Sequence, residues 1–301
     1  MSKKFRFHWP KKINYKIVLW VLALAGLGFF IVKDFILKKT PATPLRSGYT
    51  QVLPLPSPKK GGPPLPLPKK TPKETAGVPV FKEARMAIIL DDWGRNFSLV
   101  SDAVAIKEPL TLSVLPNLIY SKKIAEEAHN RGLGVMLHMP MQPLNKSQSL
   151  ERQTILTATP DTQIIRYLDE ALLSVPHAEG VNNHMGSAAT SDLRVMRTVL
   201  NYLKKRKLYF VDSDVIASTV GPRVAAETSV SFTKRDVFID NEMNLDAIKK
   251  ELTKAKTIAL GHGSVVVIGH DKRLTLQAIR EMAPEFKKEG IKFVLVKDLI
   301  E

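Results

Sequence analysis

Five short apolar runs in this chain each stop at an acid or a histidine. Asp91 and Asp92 follow Met86–Leu90, His138 follows Leu133–Leu137, and His184 follows Gly180–Asn183. Asp212 follows Leu208–Val211, and His270 follows Val265–Gly269. Runs this short, rich in β-branched residues and alternating with helical patterns, predict a parallel α/β sheet or barrel. In such folds the ligand and catalytic groups collect beyond the carboxyl ends of the strands. The pattern therefore predicts one site at one rim.

Candidate strands are 86–90, 110–114, 133–137, 180–183, 208–211, 236–239, 264–268 and 291–296. Helical patterns fill the gaps. Ser121 is placed to cap a helix through Asn130, and Thr159-Pro160-Asp161 starts another. Ser191 or Thr190 would cap a third, Leu245–Leu260 forms a fourth, and Leu274–Phe286 a fifth that should bend or restart at Pro284. Segments 141–159 and 213–235 show no clear period and are read as long connections at the rim. Seven or eight strand–helix units in this length suit a barrel-like domain better than an open sheet.

Charge and cysteine content narrow the chemistry. The formal charge is +16, but residues 1–82 hold 16 Lys/Arg against Asp34 and Glu74, leaving only +2 on the remainder. A near-neutral folded part argues against a nucleic-acid surface. Cysteine is absent, so a metal would have to be held by histidine and carboxylate.

The basic excess surrounds a second feature. Ile17–Val32 is uncharged and apolar, and Phe35–Leu37 extends it past Lys33 and Asp34. Residues 17–37 are read as an uncleaved transmembrane anchor, with a cleaved signal peptide processed near Ala23-Leu24-Ala25 as the alternative. Lysines and Arg6 in the preceding tail, 1–16, put that end in the cytoplasm and the rest outside the inner membrane, in the periplasm. Residues 38–83 form a Pro/Lys-rich linker; 11 of the 20 prolines lie in 40–80, including PLPSPKK (54–60) and PLPLPKK (64–70). Such a composition favours extended polyproline II over a packed core. The folded domain is then 84–301.

The motifs differ in specificity. Asp-Asp-x-Gly in IILDDWG (88–94) is often a turn, though paired carboxylates also serve metal-assisted hydrolysis, one on the metal and one taking a proton from water. LHMP (137–140) ends a strand on His138, with Pro140 expected to stop it. GVNNHMGS (180–187) holds more hydrogen-bonding capacity than packing would ask for; Asn182 and Asn183 can fix an imidazole or orient substrate. Asp212 in FVDSD is either a turn cap or a group that orients the site. His270 in VIGH is placed to donate a proton. His8, His129, His177 and His262 look peripheral.

Taken in order, IILDDWG, LHMPM, GVNNHMGS with Thr190 behind it, YFVDS and VIGH resemble the NodB-like polysaccharide deacetylase superfamily, in its divergent polysaccharide deacetylase branch. The resemblance covers the whole folded domain and implies a distorted (β/α) barrel of about seven strands. By position it makes Asp91 the catalytic base, Asp92 and His138 metal ligands, and His270 the general acid. Two departures stand out. Gln142 occupies the place of the superfamily's second metal histidine, and GVNNHMGS replaces its Arg-Pro-Pro-aromatic-Gly motif. From its position alone, His184 is read as the third ligand. Asn182, Asn183, Asp212 and Gln142 are then second-shell or substrate-contact candidates. The expectation is a membrane-anchored, zinc-dependent deacetylase acting on a polysaccharide or peptidoglycan-type glycan, with Fe²⁺ or Co²⁺ also compatible with the donors. The alternatives are a non-catalytic glycan-binding or envelope scaffold on the same fold, and a metallohydrolase for a different bond such as a peptide amide.

Overall fold

The structure, a computed structural model, describes residues 83–300. The anchor and linker read at 17–37 and 38–83 lie outside these residues, apart from Glu83. Among the described residues, no helix is long and apolar enough to cross a membrane.

Nine strands form one all-parallel sheet: β1 (Ala84–Trp93), β2 (Thr111–Val114), β3 (Gly134–Met141), β4 (Gly180–Met185), β5 (Tyr209–Asp212), β6 (Phe232–Lys234), β7 (Val237–Phe238), β8 (Ser264–His270) and β9 (Ile291–Val294). The helices are α1 (Val100–Val104), α2 (Ser121–Asn130), α3 (Asp161–Ser174), α4 (Leu193–Arg206), α5 (Gly221–Thr228), α6 (Leu245–His262) and α7 (Arg273–Lys288). The strand order is β6-β5-β4-β3-β2-β1-β8-β7. Its two edges, β6 and β7, are consecutive in the chain. The backbone N–H of Arg235 donates to Asp212 O on β5, and that of Asp236 to Val266 O on β8. One run, 232–239, thus pairs first with β5 and then with β8, and it joins the sheet's edges covalently. Counted this way, seven staves curl round. The ninth strand, β9, pairs with Ala84–Ala87 of β1, below the stretch that pairs with β2. That is where nine named strands and the expected seven meet.

Strand residues alternate between two packed faces. Outward residues such as Met86, Ile88 and Leu90 of β1 meet the helices, with Leu168 of α3, Val199 of α4 and Ile279 of α7 in the same core. Inward residues Ala87, Ile89, Met136, Tyr209, Val211, Val266 and Ile268 fill the interior.

Several local expectations are corrected. α4 is capped by Asp192, whose Oδ1 accepts from Val195 N at 2.9 Å, rather than by Thr190 or Ser191. Those two lie in a short 3₁₀ turn before it. α7 runs unbroken through the exposed Pro284, because its buried face holds the helix against the sheet. β3 continues through Pro140, paired with His184 of β4. α5 and β6 lie inside 213–235, where no period is visible because both are short.

Candidate metal centre

The alternation that fills the interior also aims the site. Counting up β1, the inward series 87, 89 reaches Asp91; on β3, 136 leads to His138; on β8, 266 and 268 lead to His270. On β4, Val181 faces the helices, so Asn182 and His184 face inward. Asp92 should point outward by this parity. It does not, because β1 carries an irregularity between Leu90 and Trp93, one residue longer than the facing stretch of β2, and Asp92 sits at φ +69°. A bulge with a left-handed residue re-aims a side chain in this way. Two adjacent carboxylates can therefore address one point.

Three donor atoms meet there. Asp92 Oδ1 lies 3.3 Å from His138 Nε2 and 3.2 Å from His184 Nδ1, and those two nitrogens are 3.1 Å apart. A tetrahedral ion with bonds of ~2.0–2.1 Å sets its ligand atoms ~3.3–3.4 Å apart, so the triangle nearly matches one face of such a polyhedron. Asp92 Oδ1 is buried and receives no properly directed hydrogen bond. An orphaned buried anionic oxygen between two imidazoles is the donor set a divalent cation would satisfy.

Asn182, fully buried, organises the rest. Its Oδ1 accepts from Ser113 Oγ at 2.6 Å and from His138 Nδ1 at 2.8 Å, while its Nδ2 donates to Asp91 Oδ1 at 2.9 Å. Because the amide oxygen can only accept, His138 carries its proton on Nδ1 and presents Nε2 to the triangle. Opposite, His270 is held by Asp240: Nδ1 to Oδ1 at 2.9 Å and backbone N to Oδ2 at 2.7 Å, with Thr275 Oγ1 donating to Oδ2 at 2.7 Å. Its Nε2 faces Asp92 Oδ2 at 3.9 Å.

The electrostatics separate the groups. Burial raises Asp91 above the usual carboxylate range, more than His138 and Asn182 lower it. Burial also opposes ionisation of Asp92, but contacts with His138 and His184 hold it far below that range. Burial alone would lower His138; Asp91 and Asp92 outweigh it and raise the imidazole to about 9. His270 is likewise raised against burial, through Asp240.

The structure thus brings together Asp91, Asp92, His138, His184, His270 and Asn182. Two candidates, Asp212 and Gln142, fall elsewhere, while Asn183 borders the cavity above the centre. Asp212 is on the outward face of β5, where its oxygens accept from Thr219 Oγ1 at 2.6 Å and Asp214 N at 2.9 Å; the turn-cap alternative describes it. Gln142 leaves the strand and accepts from Thr157 N at 2.7 Å and Thr157 Oγ1 at 3.0 Å, so it braces the 142–158 loop instead of replacing a ligand. Asn183 lines the cavity but spends its amide on Ser213 N and Met185 O. Sequence reasoning missed Ser113, Asp240 and Arg235. Asp240 follows the short β7 as the chosen residues follow their strands, and Ser113 lies within β2, where strand parity would have found it.

The model of the divergent polysaccharide deacetylase family matches residues 88–300. The uncharacterized protein YibQ of Escherichia coli K12 is 36% identical over 198 residues, which is 66% of this chain and 62% of that relative's own length. An uncharacterized protein of Haemophilus influenzae Rd is 28% identical over 200 residues, 66% of this chain and 71% of that protein. A crystal structure of an uncharacterized Agrobacterium tumefaciens C58 protein shares the fold, with a TM-score of 0.70 at 22% identity over 72% of this chain and 89% of that one. With the motifs in order on one rim and the family match spanning nearly all the described residues, the chain belongs to the divergent polysaccharide deacetylase family.

Proposed function

We propose that this protein is a metal-dependent hydrolase that removes acyl groups, acetyl foremost, from a cell-envelope polysaccharide. The observation that carries the reading is the triangle of Asp92 Oδ1, His138 Nε2 and His184 Nδ1, spaced for a tetrahedral ion around an oxygen that nothing else satisfies. Zn²⁺ suits two imidazoles and a carboxylate with a position left open. When bound, such an ion supplies Lewis acidity to an acyl carbonyl and to water. The chain's own residues do the rest. Asp91, its proton affinity raised by burial, takes a proton from water. Asn182 fixes that carboxylate and the His138 tautomer together. His270, its proton affinity raised by Asp240, gives its Nε2 proton to the departing amine or alkoxide. A carboxylate base and an imidazolium acid held at one centre are the expected arrangement for acid–base work.

The same reading places residues 17–37 in the cytoplasmic membrane, the amino terminus in the cytoplasm, and the domain from 84 onward in the periplasm, tethered through 38–83. Metal analysis with deacetylation of N- and O-acetylated glycans tests the chemistry. Stoichiometric zinc lost in His184→Ala, with turnover lost but zinc retained in Asp91→Asn, is the expected result. A wild-type protein that binds no zinc, or that deacetylates normally as Asp91→Asn, would defeat it.

A further inference from the structure

A cavity of about 390 Å³ opens over the candidate metal centre, and its lining includes Asp91, His138, His184 and His270 together with Asp214, Arg235 and Phe238. That volume falls in the lower part of the ~300–1,000 Å³ range of ligand clefts. Arg235 is fixed there. Its backbone N–H is tied to Asp212 O, Nε donates to Ser213 O at 2.7 Å, and Nη2 donates to Asp214 O at 2.8 Å. The guanidinium lies 5.1 Å from the centre of the Phe238 ring, which packs at 78° to the His270 ring. None of these contacts neutralises it. Four carboxylates, Asp214, Asp212, Asp91 and Asp236, act on it through space, but none forms an ion pair with it: Asp214 meets Lys234 Nζ, Asp212 accepts from Thr219 Oγ1, Asp91 from Asn182 Nδ2 and Asp236 from Val266 N. Arg131, Arg197 and Arg223, all on the surface, each sit against a glutamate. Arg235 is half-buried and, among the described residues, has no such partner, with both hydrogens of Nη1 left without an acceptor there.

A pre-positioned, partly desolvated guanidinium facing a cleft is built to receive an anion, and its planar fork matches a carboxylate. We infer that Arg235 is a specificity residue that binds a carboxylate substituent on the glycan, next to the sugar whose acyl group enters the metal centre. This deepens, and rests on, the deacylase reading of the same cavity. Phe238 supplies an apolar face under the same sugar. A second cavity, of about 390 Å³, shares Arg235, Phe238 and Asn241 and runs on toward Lys250 and Lys254 of α6, so room for a longer chain continues past the arginine.

Calorimetric binding of N-acetylmuramic acid and of its neutral carboxamide to the full chain, with and without added zinc, tests this. Wild type should bind the acid about tenfold or more tightly than the carboxamide, the scale of a charge-assisted hydrogen bond. Arg235→Gln should bind the two equally. Arg235→Lys, which keeps the charge and loses the fork, should retain part of the preference, and it decides the matter if the glutamine variant does not fold. No binding of the acid by wild type, equal binding of the two sugars, or a preference undiminished in Arg235→Gln overturns the inference. A carboxylate preference without any deacetylation would leave the role of Arg235 standing and remove the hydrolase. Deacetylation with no carboxylate preference would do the reverse.

Discussion

Asp92 is the residue on which the centre turns, and its backbone is as informative as its carboxylate. At φ +69° it occupies the left-handed region, which asparagine and aspartate tolerate and β-branched residues do not. Asp92→Asn should therefore fold without added backbone strain, yet lose most zinc affinity. Asp92→Val should lose zinc and a further ~1–3 kcal/mol, measured by denaturant unfolding. Asp240 makes a second residue-scale case. Burial alone would raise its pKa, but hydrogen bonds from His270 and Thr275 prevail and hold it below the ordinary value. A depressed folded pKa contributes stability that is full above the unfolded value and fades as the pH falls through the folded one. Asp240→Asn should thus cost about 1.5–3 kcal/mol near neutrality, and the gap from wild type should close in acid. The same substitution removes what raises His270, so the alkaline limb of the activity profile should move to lower pH. A limb that stays in place would detach Asp240 from the proton donor.

Among the elements, β4 carries the most, delivering Asn182 and His184 from successive inward positions. Its first residue, Gly180, lies opposite Tyr209 of β5, and a Cβ added there would fall 2.1–2.4 Å from three atoms of that ring. Gly180→Ala should cost about 1–3 kcal/mol by overpacking, and should weaken zinc binding as β4 shifts. The helix α7 gives a contrasting case. Pro284 is exposed in its interior, where it removes one backbone hydrogen bond and packs little, so Pro284→Ala should stabilise the fold by about 2 kcal/mol in a melting experiment. The helix tolerates the proline because Ile279, Ala283 and Phe286 keep its other face buried.

For the molecule as a whole, the centre couples stability to metal and to pH. Its ligands arrive from β1, β3 and β4, elements separated in sequence that only the folded barrel holds together, so an ion bound there stabilises the native state alone. Zinc at a hundred times its dissociation constant should add about 2.7 kcal/mol of stability, and should add nothing in His184→Ala. His138 is raised to about 9, so in the metal-free protein it carries an extra proton at neutral pH. Zinc must displace that proton. Apparent affinity should therefore rise about tenfold per pH unit up to that value, with proton release seen by calorimetry in buffers of different ionisation enthalpy. A flat profile would separate His138 from the ion.

The strand–helix alternation, the five motif-bearing strand ends and the family are all present in the one-dimensional pattern, because periodicity two and a hydrophobic run are local properties. So is the pairing of Asp91 with His270 across one rim, once every strand is taken as parallel. What a period-two count cannot supply is Asp92, whose inward aim depends on a bulge that breaks the count, whereas the same count sends Asp212 outward. Gln142 stands at a ligand's place in the motif and reads as a second-shell or substrate-contact candidate, but the loop that follows claims its oxygen. The partnership of Asp240 with His270 and the stranded charge of Arg235 also belong to the tertiary structure. Both arise where residues 232–240 cross from one edge of the sheet to the other, a path set by long-range strand pairing that no local sequence signal encodes.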